Sequence, residues 1–186
     1  GAGANTNNPV YGPTGNPFDP ARICGGSSGG SAVALACGMV PICTGSDTGG
    51  SLRTPASFCG VTSHRGTPGL VPSDRRGIGY TTYNVQGPMA RTVADASLML
   101  SAMAGSDTID PLSGPVDAAG FREVDEIDLS TLNIAYSADL GFAPVDNDIR
   151  RIFEERIGKV ANAFNACSRK DPDLKTAIEV FWIIRG

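Results

Sequence analysis

Two segments rich in glycine and serine, both in the first third of the chain, most constrain its fold. One reads Gly-Gly-Ser-Ser-Gly-Gly-Ser at 25–31, and the other reads Asp-Thr-Gly-Gly-Ser at 47–51. Consecutive glycines permit positive φ and let other groups approach the backbone closely. We predict that each segment is a tight loop entering a short helix, over 32–38 and 51–58. Pro55 must then lie in the first turn of the second helix.

The remaining pattern alternates helices and strands, which is typical of an α/β protein. Thr92 and Asp95 have the spacing of a capping box, and Gly105 is a plausible C-cap for the helix that follows. Apolar residues from Ile149 to Phe164 recur at helical spacing, with Asp146 or Asn147 as the cap. The predicted strands are 40–43 and 132–136, the predicted loop regions are 70–89 (with a short strand) and 106–130, and the last predicted helix is 174–184.

Composition excludes several classes of protein. Hydrophobic residues make up 41% and charged residues 18% of the 186 residues, an ordinary globular balance for one domain. The net charge is −4 and no basic run occurs, so direct nucleic-acid binding has little support. We find no membrane-spanning stretch and no signal-peptide pattern, and therefore expect a cytoplasmic protein that does not bind membranes.

The five cysteines do not form a metal or redox motif. Their number is odd, their spacing contains no CxxC, and most stand among small apolar residues. We interpret them as reduced, buried packing residues. A nucleophilic cysteine activated by His64, the single histidine, is the alternative.

The second loop has the features of a nucleophile site. A helix that begins at Ser51 would direct the free N–H groups of residues 48–51 toward one point, where they could stabilise an oxyanion. A hydroxyl at that point still requires a base, and a second serine can relay a proton but cannot keep it. The alternatives are flexible turns or a phosphate cradle, although the Gly-Lys-Ser/Thr of a P-loop is absent.

These residues resemble the amidase signature family. The resemblance lies in Gly25–Ala32, Gly45–Ala56 and Phe58–Gly60, and it continues through Gly87–Asp95. It covers residues 5–105 closely and the rest more loosely. The fold it implies is α/β, with a mixed β-sheet flanked by helices on both faces, and the chain would be a single domain over 1–186, truncated at both ends.

The resemblance also implies a Ser-Ser-Lys triad that needs no metal or organic cofactor. Ser51 would be the nucleophile, and Ser27 the bridging serine after a cis peptide bond from Gly26. The oxyanion hole would be the N–H groups of Thr48, Gly49, Gly50 and Ser51, and the supporting residues would be Ser28, Asp47 and Arg53. Arg53 could equally be a structural ion-pair partner.

The chain departs from the family pattern at the lysine. The family's lysine precedes the first loop, whereas the lysines here are Lys159, Lys170 and Lys175, and none matches the motif. We therefore expect the 186-residue chain alone to hydrolyse amides negligibly.

A second departure is the segment 62–68, where His64 could be the missing base. The alternative is a loop histidine bonded to the backbone. Further along, Arg91 is expected to pair with a carboxylate and Asp95 to cap a helix, both as scaffold.

Three functional interpretations follow from the resemblance. The first is hydrolysis of small-molecule carboxylic acid amides to acid and ammonia or amine through a Ser51 acyl-enzyme. The second is the glutaminase (A-type) subunit of a tRNA-dependent amidotransferase, and the third is a noncatalytic fragment. Because a partial fold leaves apolar surface exposed, self-association into a homo-oligomer is also expected.

Overall fold

The computed structural model describes residues 3–74 and 79–185, so part of the predicted loop region 70–89 lies outside the described residues. The chain divides into two compact units, Gly1–Asp125 and Glu126–Gly186, which we describe separately. Each unit combines helices with strands, as the predicted α/β class requires. The prediction of a single domain over 1–186 stays a prediction.

The first unit contains both Gly/Ser loops. Its described elements are β1 (Asn7–Asn8), β2 (Gly12–Pro13), α1 (Gly29–Ala36), β3 (Ile42–Asp47), α2 (Arg53–Cys59), β4 (Thr62–Ser63), β5 (Val85–Ala90), α3 (Val93–Met103) and a 3₁₀ turn (Ala118–Phe121).

An antiparallel sheet in the order β3-β5-β4 organises this unit. β3 pairs with β5 over its whole length, from Ile42 opposite Ala90 to Asp47 opposite Val85. The predicted strand at 40–43 overlaps β3 only at Ile42 and Cys43. Pairing with a strand about 40 residues away extends β3 to Asp47. The extension brings the end of β3 directly to the start of the second Gly/Ser segment.

One apolar cluster lies beneath the two loops and anchors the helices that follow them. Its buried members come from the loops, α1, α2 and β5: Cys24, Ala32, Leu35, Leu52, Ala56, Cys59 and Met89. Gly87 permits close packing here, since a Cβ at that position would contact the carbonyl oxygen of His64 and lie 2.7 Å from Leu52 Cδ1.

α3 follows the capping prediction at its start but not at its end. Thr92 caps the helix, because its Oγ1 accepts the Asp95 N–H at 3.1 Å and donates to the Asp95 carboxylate at 2.7 Å. This confirms the predicted helix start, with Thr92 as the capping residue and Asp95 in support. The helix ends at Met103, and Ala104 is already extended. Gly105 is not the C-cap, because the chain has left the helix and the Gly105 N–H donates to the Leu70 carbonyl oxygen.

The second unit is built on a parallel strand pair. Its elements are a 3₁₀ turn (Leu129–Thr131), β6 (Asn133–Tyr136), α4 (Asn147–Val160), a 3₁₀ turn (Ala161–Ala163), β7 (Ala166–Arg169) and α5 (Ala177–Arg185). Asp146 caps α4 as predicted, by accepting the Asp148 N–H at 2.9 Å. The helix stops at Val160, so Phe164 is not on it and instead precedes β7, a strand that the sequence did not predict.

No helix among the described residues is long and apolar enough to cross a membrane.

Candidate active site

The predicted nucleophile, Ser51, lies in the turn between β3 and α2. β3 ends at Asp47, the turn occupies residues 48–52, and α2 begins at Arg53 rather than at Ser51. Pro55 is the third residue of α2 and lies in its first turn, as required. Ser51 is half-buried. Its N–H therefore belongs to the turn itself and not to the first turn of a helix.

The Ser27 loop is held by Thr6, a residue outside every recognisable motif of the sequence. Thr6 Oγ1 donates to the Gly25 carbonyl oxygen at 3.0 Å and accepts the Gly29 N–H at 3.1 Å, at the start of α1. The Gly26–Ser27 peptide bond is cis, which confirms that prediction. No local pattern links Thr6 to this loop, because the contact joins residues about 20 positions apart.

The two loops lie against each other. The Ser28 N–H donates to the Ser51 carbonyl oxygen at 3.3 Å. The Ser28 hydroxyl also binds both polar groups of the Ser46 backbone, accepting from its N–H at 3.2 Å and donating to its carbonyl oxygen at 3.3 Å. Ser27 and Ser51, predicted to act together, therefore stand on adjoining segments.

A buried carboxylate fixes the Ser51 turn. Asp47 is fully buried and accepts the Gly50 N–H at 2.8 Å and the Leu52 N–H at 3.2 Å. Arg53 donates to both carboxylate oxygens, at 3.0 and 3.1 Å. This is the structural ion pair that was one of the two roles considered for Arg53. One side chain thus connects the end of β3, the turn and the first residue of α2.

These contacts keep Asp47 ionised. Burial acts to raise the pKa of this carboxyl, but the hydrogen bonds from Arg53, Gly50 and Leu52 and the charge of Arg53 outweigh it, and the pKa is lowered below its ordinary value. Asp47 is therefore a charged structural residue and not a proton donor at neutral pH.

The predicted oxyanion hole stays a prediction, and one of its four donors already has a hydrogen-bond partner. The Gly50 N–H donates to the Asp47 carboxylate at 2.8 Å. Within the described residues, no hydrogen bond engages the N–H groups of Thr48, Gly49 or Ser51. Three of the four predicted donors are therefore available.

The segment after α2 makes contacts that its sequence did not suggest. Ser63 Oγ donates to the Leu52 carbonyl oxygen at 3.1 Å, and Arg65 Nη1 donates to the Asp47 carbonyl oxygen at 3.2 Å. Both contacts join residues more than ten positions apart, and both receiving groups are backbone carbonyls, so residue type alone could not reveal them.

His64 fits the structural alternative. Its backbone N–H donates to the Pro88 carbonyl oxygen at 3.2 Å, and its side chain is exposed. Neither feature links the imidazole to Ser51. Arg91 differs from expectation. Among the described residues it donates to the carbonyl oxygens of Leu35, in the last turn of α1, and Val40, after that helix, and not to a carboxylate.

The cysteines are free, but not all are buried. Cys24 and Cys59 belong to the core, whereas Cys37 is exposed where α1 ends. Burial raises the pKa of the Cys59 thiol to about 11, with further contributions from Cys24 and Cys37. Cys59 is therefore an uncharged thiol at neutral pH, as a packing residue should be.

All three lysines lie in the second unit and are exposed. Lys159 pairs with Glu155 at 2.7 Å and Lys175 approaches Asp173 at 3.8 Å. A lysine that acts as a base must be neutral, which requires burial or nearby positive charge. None of these three lysines is buried.

A metal site is also absent from the part of the chain that the structure describes, where no three His, Cys, Asp or Glu side chains are grouped closely enough to hold an ion.

The candidate site of this α/β protein consists of two adjoining serine loops. A buried carboxylate holds the turn that carries its backbone N–H donors. Comparison with known proteins assigns the protein to a family. The amidase family model matches residues 1–184, so the chain belongs to the amidase family.

Curated relatives agree with this assignment. An acylamidase of Rhodococcus erythropolis is 40% identical over 144 residues, which cover 77% of this chain and 30% of that protein. The A-subunit of the glutamyl-tRNA(Gln) amidotransferase of Thermus thermophilus is 40% identical over 188 residues, which cover 99% of this chain and 39% of that protein. The chain thus spans about a third of the length of these relatives.

Solved structures share the fold. A bacterial aryl acylamidase of the amidase signature family matches with a TM-score of 0.75 and 32% identity, over 90% of this chain and 34% of that one. The glutamyl-tRNA(Gln) amidotransferase A-subunit of Thermotoga maritima matches with a TM-score of 0.77 and 30% identity, over 98% of this chain and 40% of that one. These matches confirm the predicted α/β amidase signature fold, represented here in part.

Proposed function

We propose that residues 25–53 form the nucleophile portion of an amide hydrolase, with Ser51 as nucleophile and Ser27 as bridging serine. The observation that carries this proposal is the 3.3 Å hydrogen bond from the Ser28 N–H to the Ser51 carbonyl oxygen, which joins the two serine loops. Membership of the amidase family supports the same interpretation.

The available backbone donors suit the reaction. Ser51 Oγ attacks the amide carbonyl carbon, and the carbonyl oxygen becomes an oxyanion bound by the N–H groups of Thr48, Gly49 and Ser51. Collapse of the tetrahedral intermediate breaks the C–N bond and releases ammonia or an amine, which takes up the relayed proton. Water then attacks the acyl-enzyme, frees the acid and restores the Ser51 hydroxyl.

Proton transfer passes through Ser27 in this scheme. Ser27 accepts the proton of Ser51 while it gives up its own, so it needs a stronger base on its far side. No lysine of this chain precedes the first loop, and the exposed His64 side chain makes no hydrogen bond to either serine among the described residues. We therefore expect residues 1–186 alone to hydrolyse amides negligibly.

Replacement of the nucleophile tests the proposal. The protein encoded by the full reading frame that contains these 186 residues is assayed for amine release from simple aliphatic and aryl amides. Ser51→Ala should lower kcat at least a thousandfold, roughly the loss seen when a covalent nucleophile is removed and only oxyanion and binding effects remain.

Ser57→Ala is the matched control, since Ser57 is exposed on α2, six residues after Ser51. Its kcat should equal that of the parent. A Ser51→Ala protein that retains parental kcat would refute the proposal.

A glutaminase subunit of an amidotransferase is the second candidate. It is favoured by the amidotransferase A-subunits among the relatives, one of which is 49% identical over 124 residues. In that role the full-frame protein would release ammonia from glutamine only when its partner subunits are present. Equal activity on amides with and without partners, and inertness toward glutamine, would support the free-standing hydrolase.

A further inference from the structure

Both ends of the Ser51 turn are held by one short segment. The Asp47 carbonyl oxygen, where the turn begins, accepts from Arg65 Nη1 at 3.2 Å. The Leu52 carbonyl oxygen, where the turn ends, accepts from Ser63 Oγ at 3.1 Å. Alternate residues of the segment thus bind the turn on both sides.

Arg65 is itself held firmly. Its side chain is only 25% exposed, and its Nη2 donates to the Tyr83 carbonyl oxygen at 3.3 Å. Its Nε lies 4.0 Å from a carboxylate oxygen of Asp47, so it adds to the positive charge around that carboxylate. A side chain anchored in this way can define the position of the peptide unit that it binds.

Arg65 binds the peptide unit that contains one of the proposed oxyanion donors. The Asp47 carbonyl and the Thr48 N–H belong to the same peptide bond, and Gly26–Ser27 is the one cis bond among the described residues. In a trans peptide the C=O and N–H groups point in opposite directions. A guanidinium that holds the Asp47 oxygen therefore directs the Thr48 N–H away from Arg65. Thr48 is exposed, and no hydrogen bond engages its N–H among the described residues.

We propose that Arg65 is a positioning residue that orients the Thr48 N–H as an oxyanion donor. The inference rests on the proposed function of Ser51, and it adds a residue that no catalytic motif of the sequence marks. Ser63 performs the complementary task at the other end of the turn, where it holds the Leu52–Arg53 peptide.

This role makes a distinctive kinetic prediction. An oxyanion donor acts on charge that develops in the transition state, so loss of its alignment lowers the rate of the bond-forming step and leaves initial binding unchanged. A residue that only stabilises the fold would lower the melting temperature and leave the rate of the folded fraction intact.

An alkyl fluorophosphonate is a suitable probe, because the Ser51 Oγ–P bond forms as the P–F bond breaks. Fluoride leaves, the hydroxyl proton passes to the site's base, and the phosphoryl oxygen gains negative charge in the transition state. With the full-frame protein, the maximal labelling rate kinact and the half-saturating concentration KI are measured well below the melting temperature.

Arg65→Met should lower kinact roughly ten- to a hundredfold and change KI less than about twofold, since small misalignments at a reacting centre have effects of this size. Arg65→Lys keeps a single-point donor and should fall between Arg65→Met and the parent. Arg22→Met is the control, because Arg22 is exposed and its ion pair is with Asp19, away from the turn. The kinact and KI of Arg22→Met protein should equal those of the parent.

Two results would overturn the inference alone. One is parental kinact in folded Arg65→Met protein labelled at Ser51, and the other is a loss confined to KI or to the unfolded fraction. If the parent is not labelled at Ser51, the proposed function fails and the role of Arg65 fails with it. Arg65→Lys keeps the test decisive if Arg65→Met does not fold.

Discussion

At the scale of single residues, Asp47 does more than any other side chain to fix the site. It is fully buried, and it binds Arg53 and the N–H groups of Gly50 and Leu52. Its place in the motif was predictable, since the residues it binds follow it within six positions. The hydrogen bond from the Gly50 N–H to this carboxylate was not predictable, because it depends on the conformation of the turn.

Asp47→Asn should destabilise the first unit by about 2 kcal/mol at pH 7, the scale of hydrogen bonds to a charged group. The lowered pKa of Asp47 means that its ionised form stabilises the fold above the unfolded-state pKa near 3.8. This contribution is lost as the pH falls through the lower pKa of the folded state. The difference between parent and variant, measured by urea unfolding, should therefore shrink below pH 3.8, and a difference that stays constant from pH 7 into this acid range would contradict it.

At the scale of elements, the site depends on pairings that cross long stretches of sequence. The predicted strand at 40–43 became β3 (Ile42–Asp47) because β5 pairs with all of it. β7 was missed because Ala-Cys-Ser-Arg has a weak strand pattern, and only its parallel partner β6 defines it. The starts of α3 and α4 were easier to predict, because their caps at Thr92 and Asp146 are local. The other helices, α1, α2 and α5, begin two or three residues from their predicted starts.

Close packing of β5 against the turn gives a prediction at this scale. Gly87→Ala should destabilise the first unit by about 1–3 kcal/mol, because the new methyl group meets the His64 backbone and Leu52. Gly30→Ala is the matched control, since Gly30 lies in α1 with open space around its Cα, and alanine there should be neutral or stabilising. Urea unfolding of both variants checks this, and equal stability would contradict the packing.

At the scale of the whole molecule, the exposed apolar side chains of the second unit indicate association. Trp182 is 64% exposed and Ile183 72% exposed on α5, and Ile149 is 59% exposed on α4. Such surfaces on a monomer promote contact with other molecules. We expect the 186-residue chain to self-associate as its concentration rises.

Sedimentation velocity over about a hundredfold range of concentration measures this directly. Trp182→Gln together with Ile183→Gln should weaken the association, whereas Val10→Gln, at an exposed apolar residue of the first unit, should not. A parent chain that stays monomeric throughout the range would contradict the expectation.

Covalent trapping distinguishes a nucleophilic Ser51 hydroxyl from a serine that only supports the turn. The full-frame protein is incubated with an alkyl fluorophosphonate, digested and mapped by mass spectrometry. We expect one adduct on Ser51, absent from Ser51→Ala protein and strongly reduced in Ser27→Ala protein. An adduct on another residue, or labelling that persists in Ser51→Ala protein, would contradict it.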